Sequence, residues 1–182
     1  MPFRLTLVIL AGIGSGIATA KPISEQQAQA LVEAGKDHLE INNLKKSTAS
    51  PIGPTRAGMT KVIYETPTGG RFATYYLGAG GVLKEFVMNS PDLYPYTPVR
   101  DRRALITRLM QIAAPHGSQA ERNWAANQLN AYWTQSVRPL PVRVGDYVFR
   151  GGTTRTGNGF HDTFWVVAAD RGYTGLKYHP KH

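Results

Sequence analysis

The stretch "FRGGTTRTGNGFHDTFWVV", Phe149–Val167, decides the fold. It is rich in glycine, carries Arg150, Arg155 and an adjacent His161-Asp162 pair, and ends in an aromatic and β-branched run. A phosphate-cradling loop requires G-x-x-x-x-G-K-[ST], in which the lysine reaches the terminal phosphates and the hydroxyl holds magnesium. Gly152 and Gly157 have that spacing, but Asn158 and Gly159 stand where the lysine and the hydroxyl belong. The stretch therefore reads as a β-hairpin that turns through a wide glycine-rich loop, the glycines supplying positive φ. Arg150 and Arg155 beside it suit a phosphate or a carboxylate.

Strand-like segments flank this hairpin on both sides, "VRVGDYVFR" before and "YTGLKYH" after. Further upstream, "KVIYET", "RFATYYL" and "VLKEFVM" are separated by the turn sequences "PTGG" and "GAGG". Short connections of this kind join antiparallel neighbours, so Lys61–Met88 is expected to form a three-stranded meander. Phe72, Tyr76, Leu83 and Phe86 are expected to supply its apolar surface.

Helical periodicity appears in three places. Ser24 and Gln27 form a capping box at the start of a stripe made by Ala28, Leu31, Val32 and Leu39, with Gly35 weakening its middle. Thr97, followed by Pro98, is the expected N-cap of a second helix. Leu105, Ile106, Leu109, Ile112 and Ala113 line its buried side, and Arg103 and Gln111 point outward. Ser118 and Glu121 open a third helix with Trp124, Leu129, Tyr132 and Trp133 on its aromatic face, and the short linker makes the last two a helical hairpin. Residues 42–59 read as an irregular, mobile loop. The order helix, strands, helical hairpin, strands predicts a single α+β domain with a mainly antiparallel sheet.

The N-terminus sets the expected location. Arg4, an apolar run from Leu5 to Ile17 and the small residues Ala18, Thr19 and Ala20 have the three-part pattern of a secretory signal peptide, cut between Ala20 and Lys21. Three glycines interrupt the run, and it is shorter than the roughly 20 residues of a spanning helix. Residues 1–20 are thus expected to be a leader and residues 21–182 the exported domain, periplasmic or secreted. A membrane-associated subunit that keeps its leader is the weaker reading.

The chain has no cysteine, which excludes disulfides, thiolate metal sites and a cysteine nucleophile. Its formal net charge is +9, drawing it toward acidic proteins or anionic polymers. The densest basic groups, at Arg100–Arg103 and Lys45–Lys46, fall short of a nucleic-acid block.

No complete catalytic motif occurs. His161 is the candidate general base, but its neighbour Asp162 points to the opposite side of a strand, so it would need Asp146 or Glu85 as partner. Metal-binding spacing is lacking, and no cofactor is implied. Tyr94 and Tyr96 lie in the proline-flanked segment "DLYPYTP" near Arg100, Arg102 and Arg103. With Arg155, these have the composition of a protein-binding hot spot. The expected function is an exported, non-enzymatic accessory or inhibitor-type protein that binds an acidic protein partner or an anionic polymer. The alternative is an exported hydrolase of phosphodiesters or glycans, using His161 as base and Arg150 or Arg155 to hold an anionic substrate.

Overall fold

In the computed structural model, residues 22–90, 101–133, 140–156 and 159–179 are described; the side chains of 132, 133, 154–156 and 159–161 are not. Residues 1–20, Tyr94, Tyr96, Thr97, Pro98 and Arg100 lie outside the described residues.

Helix α1 (Glu25–His38) is followed by strands β1 (Lys45–Ala49), β2 (Thr60–Glu65), β3 (Arg71–Leu77) and β4 (Leu83–Asn89). Helices α2 (Arg102–Ala113) and α3 (Gln119–Trp133) come next. Strands β5 (Val142–Val144), β6 (Tyr147–Thr156), β7 (Gly159–Ala168) and β8 (Leu176–Lys177) complete the chain. All eight strands form one sheet in the order β1-β2-β3-β4-β7-β6-β5-β8. Every pairing is antiparallel except β5 with β8. The domain is α+β, as the alternation of patterns predicts.

The three helices cover one side of the sheet. Leu31 and Val32 of α1, Ile106 and Leu109 of α2, and Ala125 and Leu129 of α3 share one buried cluster with Val62, Tyr75, Phe86, Phe149, Phe164 and Val166 of the sheet. Side chains alternate across a strand, so the residues between these positions lie on the opposite side, which none of the described helices α1–α3 covers. Tyr76, Val148 and Val167 are buried there, apart from the main cluster.

Local chemistry sets the helix and turn boundaries. The Ser24–Gln27 capping box forms in both directions. The α3 start has its Ser118 hydroxyl accepting from Glu121 N at 3.1 Å. Gly35 does not divide α1. It lets the helix approach the sheet so closely that an added Cβ would stand 2.1 Å from Met88 Sδ. Gly69, at φ 84, makes the β2–β3 turn.

Four expectations change. Residues 45–49 are not loop but an edge strand paired with β2, and Pro54–Arg56 form a 3-10 turn. Helix α2 begins at Arg102 behind Asp101 in the left-handed conformation, not behind Thr97. Tyr76 faces away from the helices, unlike Phe72, Leu83 and Phe86. The hairpin is narrower and longer than a wide glycine loop: β6 and β7 pair from Tyr147↔Ala168 to Thr156↔Gly159. Gly151 and Gly152 sit inside β6 opposite Phe164 and Thr163, and neither belongs to the described glycines with positive φ.

Candidate functional site

Two buried carboxylates organise the polar chemistry of the sheet, one on each side. On the helix side is Asp162, 4% exposed. Its Oδ2 accepts from Arg102 Nη2 at 3.2 Å and its Oδ1 from Thr153 Oγ1 at 2.7 Å. Its main chain is also used: Asp162 N donates to Ser90 Oγ, and Ser90 N donates to Asp162 O, both at 2.8 Å. The adjoining void, of about 10 Å³, is lined largely by Leu39, Met88, Leu105, Ile106, Leu109 and Phe164. That is the lower bound for a single water, so this centre is structural packing and not a ligand cavity.

On the open side is Glu85, 5% exposed in the middle of β4. Arg56 approaches it with Nε at 3.2 Å from Oε2 and Nη2 at 2.8 Å from Oε1. Arg171 Nη1 reaches Oε2 at 3.3 Å, and Trp165 Nε1 donates to Oε1 at 3.2 Å. The hydrogen bonds from Arg56 raise its already high pKa further. One carboxylate thus holds two guanidiniums, and through them two loops: the 3-10 turn carrying Arg56, and the turn Ala169–Arg171. Arg171 also donates to Thr55 O at 3.4 Å, tying one loop to the other.

Aromatic rings complete this side. The Arg56 guanidinium carbon lies 4.3 Å from the Tyr76 ring centroid, and that of exposed Arg150 lies 5.1 Å from Trp165. Tyr173 meets Trp165 edge-on, at 5.0 Å and 90°. A guanidinium over an aromatic face is attracted by the ring quadrupole and loses freedom there, which prepares it to bind a carboxylate. Three arginines therefore share this face with Glu85, already satisfied by two of them.

A separate cleft of about 720 Å³ opens at one end of the sheet, among Lys84, Arg143, Asp146, Tyr147 and Asp170. Its charges are paired, Lys84 with Asp170 and Arg143 with Asp146. Tyr147 is held there by accepting from Ile23 N at 2.8 Å and donating to Leu83 O at 3.4 Å.

The residues expected from sequence to bind a partner are not gathered into one patch among the described residues. Arg102, expected at the surface, is 8% exposed and buried against Asp162. Arg103 is exposed on α2, on the helix side of the domain. Arg155 pairs with Phe160 near the hairpin end, its side chain outside the described residues. His161 stands opposite Thr154, whereas Glu85 stands opposite Val167, six residues along β7. At strand rise this separates the two backbones by about 20 Å. Asp146 lies beyond the Tyr147↔Ala168 end of the same hairpin, farther still. Glu85 is instead the anchor of Arg56 and Arg171.

Sequence reasoning assigned none of Arg56, Arg171, Tyr76 and Trp165 to a site, and placed Tyr76 on the apolar surface of the meander. Their signal was present in Glu85, a lone carboxylate flanked by Leu83 and Phe86 in an apolar strand, which needs a cationic partner when buried. Among the described residues no group of three His, Asp or Glu side chains is placed to hold a metal ion, and no helix is long and apolar enough to cross a membrane. No family model, curated protein or solved structure matches this chain.

Proposed function

We propose that the protein is an exported, non-enzymatic accessory or inhibitor-type factor that binds an acidic protein partner. The observation that carries this reading is the charge balance of the helix-free face: Arg56, Arg150 and Arg171 stand there with the single buried carboxylate Glu85. Arginine, tyrosine and tryptophan are the residues that dominate protein-binding hot spots, and here Tyr76, Trp165 and Tyr173 accompany the three guanidiniums. Planar guanidiniums suit carboxylates bidentately. Export rests on the leader-like pattern of residues 1–20.

The test is a pull-down from envelope and secreted fractions at low and high salt, with the mature N-terminus read by mass spectrometry. The expected result is processing before Lys21 and one stoichiometric acidic protein retained at high salt. Retention only on anionic polymers, lost with salt, would reduce the interaction to net charge.

A further inference from the structure

Cross-strand register lines up Ile63, Thr74, Val87, Trp165 and Arg150 in a single row on the helix-free face. Ile63, Val87 and Trp165 are half-buried, so they form a shallow apolar strip still open to solvent. Between the first two lies Thr74, 6% exposed, whose buried Oγ1 has no hydrogen-bond partner. That hydroxyl is closed off from solvent as well as unpaired, so Thr74 forms part of the floor of the strip and offers no contact to a ligand. Arg150 ends the row, exposed over Trp165, and among the described residues it forms no ion pair. Arg56, over Tyr76 in the neighbouring row, flanks the strip.

The geometry points to this strip as the docking site for an acidic, partly apolar segment of the partner protein. In the complex an apolar side chain covers Ile63 and Val87, and a carboxylate meets the Arg150 guanidinium. The assignment rests on the acidic-partner reading above and gives it a place. From β2 to β6 the row crosses four strand spacings, about 19 Å, which an extended segment of about six residues spans. A phosphodiester or uronate chain fits less well. It needs cations repeated along its path and has nothing to lay on an apolar strip, whereas this row is cationic only at one end and one flank.

The experiment uses the purified protein and an array of six-residue peptides in which Asp or Glu is set one to five residues from Leu, Ile or Phe. Polyglutamate and polyphosphate are the controls. Affinity is measured by fluorescence anisotropy, and the Trp165 indole N–H resonance, assigned by its loss in Trp165→Phe, reports the place of binding. The expected result is a peptide that moves the Trp165 signal and is weakened about tenfold by Arg150→Ala. Thr74→Val is the control: its hydroxyl is closed off from solvent, so the change should raise Tm and leave the affinity unchanged. Absence of peptide binding, binding untouched by Arg150→Ala, or equal binding of polyglutamate or polyphosphate overturns the assignment. Repeating the pull-down with Arg150→Ala separates the two readings. A salt-resistant acidic partner captured equally by both proteins removes the strip and leaves the function, and no partner at all removes the function itself.

Discussion

Arg102 and Asp162 form an ion pair of 3.2 Å with both side chains nearly excluded from solvent, joining the first turn of α2 to the hairpin strand β7. The Asp162 main chain also makes two bonds to Ser90 just past β4, its N–H donating to the Ser90 hydroxyl and its carbonyl accepting from Ser90 N. Removing one member of a buried pair strands the other charge, which costs about 3–5 kcal/mol. Asp162→Ala is therefore expected to lower stability by about that amount in urea unfolding. Replacing both, Arg102→Met with Asp162→Leu, should recover most of the loss. A double variant as unstable as the single one would show that the bond from Thr153 to the Asp162 carboxylate, not the ion pair, carries the stability.

Among the described residues, Glu85 is the sole carboxylate holding two loops to the open side of the sheet. Glu85→Gln keeps the shape and removes the charge, leaving Arg56 and Arg171 facing each other. The expected outcome is a loss of about 3 kcal/mol and faster amide exchange at both 3-10 turns, Pro54–Arg56 and Ala169–Arg171. Arg56→Ala, whose side chain is one-third exposed, should cost only about 1 kcal/mol.

Gly35→Ala sets two effects against each other. The helix gains about 1 kcal/mol in propensity, and the new methyl group meets Met88 Sδ at 2.1 Å and Phe72 Cζ at 3.2 Å. Overpacking a filled core costs about 1–3 kcal/mol, so the substitution is expected to lower Tm. In a Met88→Ala background the methyl has room, and the same change should become neutral or stabilising. A double-mutant cycle reads this coupling directly.

Stability should also fall at alkaline pH. Burial raises the hydroxyl pKa of both Tyr75 and Tyr147 above the ordinary value of 10.0. Above pH 10 the unfolded chain releases protons that the fold retains, so stability is intact below that pH and declines as pH rises. Each such tyrosine contributes up to about 1.4 kcal/mol per pH unit. Tyr75→Phe should flatten the decline. Tyr147→Phe should do so as well, but it also leaves the buried Ile23 N–H unpaired, costing about 1–3 kcal/mol at neutral pH.

Most of the architecture was legible because it rests on local patterns. The Ser24–Gln27 box, the turn at Gly69 and the stripe from Leu105 to Ala113 each act within a few residues, and each forms. Strand β1 was not legible: "KKSTA" is fully exposed and pairs on one edge only, so it carries no alternation of polar and apolar residues. The hairpin length was missed because Gly151 and Gly152 look like turn residues, and only pairing with Phe164 and Thr163 makes them strand. The candidate site was hidden for a different reason. Arg56, Glu85, Trp165 and Arg171 are brought together by sheet order, and nothing in their spacing along the chain announces it. Arg102 misled in the opposite way, since a basic run predicts solvent, and Asp162, which buries it, lies 60 residues away.

The seam between β4 and β7 carries a consequence for how the molecule comes into being. Asn89 meets Thr163 across 74 residues of chain, so the two halves of the sheet are stitched by one long-range pairing. Contacts of such sequence separation slow folding, because the loop must close before the pairing repays it. Until β7 arrives, β4 is a bare edge of Leu83, Phe86, Val87 and Met88, open to pairing with other chains. Strand β7 follows β4, α2 and α3 in the chain, so it is synthesised after all of them. The sheet therefore closes only once β7 has emerged, and a chain cut after α3 should aggregate instead of persisting as half a sheet.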